Sequence, residues 1–445
     1  MNNKIIEKIE GIMMPIANKV SSNRYLLAMR DAFSILLPFI IIGSAFGIFN
    51  WVVFDPAGTI MGSTGLNLGH KITGLTGKAY DSSSFVQTLT SLQYMCSIAL
   101  NGAFSVFSLL LVIAFGYRLG KIWGSEEFLS AMICLVSYLI VTPQSINYVL
   151  KNKSTVTVPN AFNMNYFGSK AVITALIVTT IVAYLFAKLS NNEKLQIKMP
   201  DGVPPAVVKS FQTLIPIGII IFLVALVASI LHWTNQPALN DLIYTVIGAP
   251  LMGFSQGLGF ALIYQLVVWV FWWFGIHGHN VTAAIQNAVY LPAQLSNQAG
   301  TTHYIYTNGF FEAGLMHIMG LIIAIFIFSK REDWRAVAKV AAPSMIFNIQ
   351  EPIVFGLPIV LNPLLLIPYI LAPIMQVLIG GAAISLGIVP VFKYVVPWTM
   401  PAFFGALVGT GSLAGGLLQL VWLVIDTIIY APFVIAANKT AKAGL

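Results

Sequence analysis

A carboxylate surrounded by apolar sequence is costly and is by default a candidate for function. The chain has fifteen Asp and Glu residues, and three of them, Glu312, Glu351 and Asp426, stand inside apolar runs. Glu351 lies in Asn348-Ile349-Gln350-Glu351-Pro352. A carboxylate beside the amides of Asn348 and Gln350 suits sugar hydroxyls, which both donate and accept hydrogen bonds. The plainer alternative is a buried carboxylate capping a broken helix; the functional reading is preferred. Glu312, between Phe311 and Ala313, reads instead as a first-turn acid favoured by the helix dipole. Asp426, in VWLVIDTIIY, reads as the partner of a buried cation or the cap of a kink.

His277 and His279 stand in Trp272-Trp273-Phe274-Gly275-Ile276-His277-Gly278-His279-Asn280. A His-x-His pair suggests a metal, but a closed site needs further ligands. No His, Cys or carboxylate cluster at ligand spacing supplies them, so no metal is expected. A histidine on a glycine-flanked turn beside an aromatic wall suits a sugar better. Sugar C–H faces stack on rings, and hydroxyls go to polar groups at the edge, here His277, His279 and Asn280. Trp272 and Trp398 are the candidate platforms; the alternative for either is an anchor in the interfacial aromatic belt. Cys96 and Cys134 lie in apolar runs and form neither a disulfide framework nor a metal spacing. There is no G-x-x-x-x-G-K-[ST] loop and no G-x-G-x-x-G after a strand. No cofactor is expected, and any phosphoryl donor must come from another protein.

The elements that position these groups follow from composition. Of 445 residues, 58% are hydrophobic and 9% charged. Soluble domains carry roughly 25% charged residues. Mean hydropathy is +0.84. This is a polytopic membrane protein; intrinsic disorder is excluded by the amount of apolar surface. The net charge of +8 comes from cations in short loops between apolar runs, which is a topological signal and not a nucleic-acid footprint. No nucleic acid is expected as a partner.

A spanning helix needs about 20 apolar residues. Ten runs qualify: 33–54, 92–116, 126–147, 171–188, 211–231, 242–257, 258–276, 311–329, 364–387 and 413–437. The pair within 242–276 also reads as one long tilted helix plus a loop. The runs are continuously apolar and not alternating, so a barrel is excluded. With ten crossings, Lys4, Lys8, Lys19, Arg24, Arg30, Arg118, Lys121, Lys188, Lys194, Lys198, Lys209, Lys330, Arg331, Arg335, Lys339, Lys439 and Lys442 share the cytoplasmic side, and so do both termini. Lys71, Lys78, Lys151, Lys153 and Lys170 fall outside. The division expected is a cytoplasmic amphipathic segment at 1–32, a scaffold half at 33–190, a cytoplasmic linker at 191–210 and a substrate half at 211–445. Three segments do not behave as plain spans: 275–310, 340–363 and 393–412. Irregular backbone at membrane depth must line a cavity or be buried in protein, and broken helices mark transporter binding sites. All three lie in the second half, which is therefore read as the transport half, with re-entrant hairpins.

Six motifs in order carry a family resemblance. They are Asn23-Arg24-Tyr25-Leu26 with Arg30-Asp31 before the first span, MPDGVPPAVVKSF at 199–211, WWFGIHG at 272–278, QEPIVFGLPIVLNP at 350–363, VPWTMP at 396–401 and DTIIYAPFV at 426–434. Over nearly its whole length the chain resembles the IIC permease of the bacterial phosphoenolpyruvate-dependent sugar phosphotransferase system, of the lactose/cellobiose/diacetylchitobiose type. The resemblance implies a homodimer joined through the N-terminal half, in the bacterial cytoplasmic membrane. It implies a disaccharide in the C-terminal half whose 6-hydroxyl is held by His277 and Glu351 and stacked by Trp272 and Trp398. It implies a separate phosphocysteine-bearing IIB donor. Three departures fall near the site: Gln350 where Asn often stands, His279 after His-Gly, and FFEAGLMHIMG near 310, which lacks a Gly-Gly pair. They bear on the identity of the sugar, read first as a cellobiose-like β-glucoside, more than on mechanism. Two readings from other classes stand beside this one. One is a secondary transporter driven by protons or sodium with Glu351 as the coupling site; the other is a membrane enzyme acting on lipid, for which no catalytic cluster is visible.

Overall fold

A computed structural model describes residues 22–440, except 59, 64–65, 104, 151–153, 198, 201, 358 and 361. Residues 1–21 of the expected amphipathic segment, together with Lys151, Lys153, Lys198, Pro358 and Lys442, lie outside the described residues.

The fold is helical, because lipid offers the backbone no hydrogen bonds and a helix satisfies its own. One feature departs from the all-α expectation. Ser145–Val149 and Thr155–Pro159 form an antiparallel hairpin with Asn147 opposite Thr157. Among the described residues six helices are long and apolar enough to cross a membrane: Ser84–Trp123, Ser169–Ser190, Leu214–Trp233, Asn308–Phe328, Pro363–Ser385 and Leu413–Asn438. Two bent pairs raise the number to eight. Arg24–Leu36 with Pro38–Val53 bends by 41°, next to a proline that cannot donate to the helix ladder. Leu239–Ser255 with Leu258–Trp273 bends by 75°. Six to eight thus stand where ten were expected. The runs at 242–257 and 258–276 join at that bend. The run at 126–147 yields only Glu127–Val141, a helix of 15 residues. At 1.5 Å per residue it is about 22 Å long, short of a hydrocarbon core of about 30 Å.

The described chain forms two compact units, and their boundaries differ from the expected halves. One unit joins Asn23–Gly43 to Ala99–Met252. Its helices are α1 (Phe107–Trp123), α2 (Glu127–Val141), α3 (Val172–Ser190) and α4 (Leu214–Trp233). Gly116 and Gly120, one turn apart on α1, admit α2 closely: a Cβ on Gly120 would lie 2.7 Å from the Ser130 Cβ. The Ser130 hydroxyl donates to the Gly116 carbonyl at 2.9 Å. Small residues and a hydroxyl are the usual means of helix association in lipid, where apolar burial drives little. α4 behaves differently, burying only Pro216 and Ile220.

The other unit joins Ser44–Ile98 to the chain from Gly253 onward. The 44–98 segment belongs here partly through Ser44. Its hydroxyl donates to Gln298 Oε1 at 3.1 Å and accepts the Val395 N–H at 3.2 Å. The later helices are α5 (Leu258–Trp273), α6 (Gly278–Ile285), α7 (Leu291–Gln298), α8 (Asn308–Phe328), α9 (Glu332–Met345), α10 (Glu351–Gly356), α11 (Pro363–Ser385), α12 (Phe404–Thr410) and α13 (Leu413–Thr440). Trp269, Phe310, Tyr369, Trp422 and Tyr430 fill the core. α8 and α13 pack tightly, since a Cβ on Gly320 would lie 2.6 Å from the Asp426 Cβ. His317 Nδ1 and the Tyr430 hydroxyl, 3.0 Å apart, add a polar tie between the two helices.

Candidate functional site

Three interruptions of helix build the site, all in the second unit. The first separates α5 from α6. Gly275 takes φ +76°, a conformation that strains any residue with a Cβ. At Gly278 a Cβ would run into the Val268 carbonyl. Between them His277 becomes the N-cap of α6, its Nδ1 accepting the Asn280 N–H at 3.4 Å. That leaves Nε2 for a ligand. Trp272 packs on His277 with ring centres 4.3 Å apart and donates Nε1–H to His279 Nδ1 at 3.1 Å. Trp269 meets His279 edge-on at 5.5 Å. Two tryptophans therefore set both histidine rings. Trp272 is only 2% exposed, while His277 and Asn280 are exposed.

The second interruption separates α9 from α10. Asn348 takes φ 60°, the left-handed region that Asn tolerates better than most residues. Its side-chain N–H groups donate to the carbonyls of Trp398 at 2.7 Å and Met400 at 3.2 Å. This ties the second interruption to the third. Gln350 is the N-cap of α10, with Oε1 buried and unpartnered. Glu351 opens α10 with Pro352 behind it, where the helix dipole favours an acid. Glu351 is half-buried and within electrostatic reach of His277 and Tyr369.

The third interruption is the irregular stretch before α12, which ends at Phe403 with φ 73°. It carries Trp398, which is 50% exposed. Glu312, Asn348, Trp398, Met400 and Gln419 line a small cleft here. Asn348 Oδ1 is buried and has no partner.

The fold thus gathers Asn348 and Trp398 at one cleft and Trp272, His277, His279 and Asn280 in one cluster, with Glu351 in electrostatic reach of His277. It also adds residues that the motifs did not single out. Glu312 is not a first-turn acid. The helix starts at Asn308 behind the N-cap Thr307, and no acid lies in its first turn. Asn308 donates to Glu312 Oε1 at 2.9 Å, and Gln286 donates to Asn308 Oδ1 at 2.5 Å. Gln419 lines the same cleft, and its amide also bridges the Ala313 carbonyl and the Ala406 N–H. The available signal was polarity inside an apolar run, as in Leu417-Leu418-Gln419-Leu420. Asp426, fully buried, takes an amide partner and not a cation: Gln376 Nε2 donates to its Oδ2 at 2.7 Å.

Comparison with known proteins gives the lineage. Residues 30–373 match the family model for the phosphotransferase system EIIC component. The chain belongs to the phosphotransferase system EIIC family. This EIIC protein is 31% identical to the oligo-beta-mannoside-specific EIIC component of Bacillus subtilis (strain 168), over 98% of this chain and 94% of that protein. It is 28% identical to the cellobiose-specific EIIC component of Lactococcus lactis subsp. lactis (strain IL1403), over the full length of both. The crystal structure of ChbC, the IIC component of the N,N'-diacetylchitobiose-specific phosphotransferase system, matches with a TM-score of 0.84 at 29% identity, covering 98% of each chain. As an EIIC protein with its apolar helices, the chain is a multi-pass membrane component of a sugar phosphotransferase system.

Proposed function

We propose that this EIIC protein imports a β-linked disaccharide, cellobiose-like first, and presents its 6-hydroxyl to a separate phosphorylated IIB protein. The observation that carries the reading is Asn348, which ties Glu351's segment to the carbonyl of the half-open Trp398, with His277 held on Trp272 as the cap of α6. The relatives named for oligo-beta-mannoside and cellobiose support the substrate class.

In this mechanism the 6-hydroxyl oxygen attacks phosphorus, the phosphorus–sulfur bond breaks and the cysteine thiolate leaves. Glu351 takes or orients the hydroxyl proton, as a general base within hydrogen-bond reach can. His277 Nε2 holds the same oxygen. Trp272 sets the two histidine rings and Trp398 offers the open stacking face, while Asn280, His279, Asn348 and Gln350 supply polar contacts. Catalysis rests on positioning and charge stabilisation more than on covalent work by this chain. The phosphate added to the sugar prevents its return.

The same proposal includes ten crossings with re-entrant segments, both termini cytoplasmic, a scaffold half, a substrate half and a homodimer. Among the described residues six helices are long and apolar enough to cross, eight if each bent pair is one crossing, and the proposal adds the shorter Glu127–Val141 helix to them. The proposal is tested in membrane vesicles supplied with labelled cellobiose and phosphorylated IIB. Sugar phosphate should accumulate and persist when an uncoupler is added. Accumulation of unmodified sugar that collapses with the uncoupler would sink the proposal in favour of ion coupling.

A further inference from the structure

A second cavity lies in the unit formed by Asn23–Gly43 and Ala99–Met252, away from the residues assigned above. Asn163, Asn165, Tyr166, Lys170, Asn240 and Asp241 line it. Lys170 and Asp241 carry opposite charges, yet the ion pairs among the described residues are Arg30–Asp31 and Arg331–Asp333. Lys170 and Asp241 therefore share a cavity without pairing. Asp241 Oδ2 accepts the Tyr166 hydroxyl at 2.8 Å. Asn240 is 3% exposed, and its amide N–H groups reach the Tyr138 and Thr142 oxygens at 3.4 Å each. Its Oδ1 is buried without a partner.

The cavity sits where membrane-crossing segments begin. Lys170 is beside the first residue of the Ser169–Ser190 span, and Asn240 and Asp241 follow the first residue of Leu239–Ser255, the first arm of the pair bent by 75°. Span ends lie in the headgroup layer. Trp233, at the end of α4 and 71% exposed, is the kind of aromatic residue that favours this layer. Among the lining groups the Asp241 carboxylate is an acceptor. The Lys170 ammonium and the side-chain amides of Asn163 and Asn165 are donors.

We propose that this cavity binds the zwitterionic headgroup of an aminophospholipid. Its ammonium N–H groups go to the Asp241 carboxylate, and its phosphate goes to Lys170 and the amide N–H groups of Asn163 and Asn165. Two opposite charges held apart match a ligand that carries both. A neutral sugar does not require them, a purely anionic headgroup is repelled by Asp241, and a choline headgroup has no N–H to donate to the Asp241 carboxylate.

The test uses the purified full chain in detergent and follows its thermal midpoint on titration with short-chain phosphatidylethanolamine, phosphatidylcholine, phosphatidylglycerol and, separately, cellobiose. Phosphatidylethanolamine should raise the midpoint at lower concentration than the other two lipids. Lys170→Gln and Asp241→Asn should each weaken that apparent affinity about tenfold, the scale of one charge-assisted hydrogen bond. Lys170 is exposed and separate from the Tyr166–Asp241 bond, so Lys170→Gln decides the matter if Asp241→Asn does not fold. Equal response to all three lipids, or an ethanolamine preference that survives Lys170→Gln, overturns the proposal. A cellobiose response abolished by Lys170→Gln also overturns it, in favour of a second sugar site.

Discussion

At the residue scale the proposed site rests on Glu351, the acid with the amides of Asn348 and Gln350 beside it in the chain. Removing its charge while keeping its shape separates chemistry from folding. Glu351→Gln should leave a folded protein that binds sugar more weakly and transfers phosphate at least about a hundredfold more slowly, the usual worth of a positioned base. A variant that phosphorylates at the wild-type rate ends the assignment. Trp398 is the platform with an open face, and Trp398→Ala should cost about tenfold in sugar affinity, as loss of an aromatic contact of about 1 kcal/mol or more does. Affinity unchanged in a binding titration would return Trp398 to the role of interfacial anchor. Glu351, His277 and Trp398 are each marked in the chain by unusual neighbours. Glu312 is not. Its sequence context suited a helix start, and only the position of the Thr307 cap moved it past the first turn and into the cleft.

At the element scale the device is the broken helix. Asn348 at φ 60° turns the chain between α9 and α10 and ties it to the carbonyls of Trp398 and Met400. One side chain thus holds two interruptions in register. The frame behind them is the contact of α8 with α13. That contact depends on Gly320, where a Cβ would press on Asp426 and on the Thr427 backbone nitrogen at 2.9 Å. Gly320→Ala should lower stability by about 1–3 kcal/mol, the cost of overpacking a closed contact. A thermal midpoint equal to the parent's would show that the helices separate without penalty. The C-terminal end of α8 is also fastened. Arg335 Nη1 donates to the carbonyls of Phe326 and Ser329 at 3.2 Å each, and Asn438 Nδ2 donates to the Phe328 carbonyl at 2.9 Å. These satisfy the carbonyls that a helix end leaves open.

At the scale of the whole molecule the chain has more apolar surface than its own fold covers. α4 exposes Phe222, Val227, Ile230 and Trp233 and is almost free of buried residues. Lipid covers such a face, and so does a second copy of the chain. The proposed homodimer predicts a detergent-corrected mass near twice 48.4 kDa by light scattering. A mass of one chain at micromolar concentration would exclude a stable dimer.

The sequence by itself determined the class of molecule. A chain with 9% charge and long apolar runs can only be stable in lipid, and inside lipid it can only be helical. It also marked Glu351, His277 and the three irregular stretches, because polar groups and prolines are conspicuous where lipid disfavours them. Tertiary structure alone decided which of these groups meet. The cleft of Glu312, Asn348, Trp398 and Gln419 draws on segments more than a hundred residues apart, and no local pattern encodes such a distance. The burial of Trp272 beneath two histidines, and the grouping of 44–98 with the C-terminal part, were decided by packing for the same reason. Hydropathy reports whether a residue tolerates lipid. It does not report which neighbour will cover it.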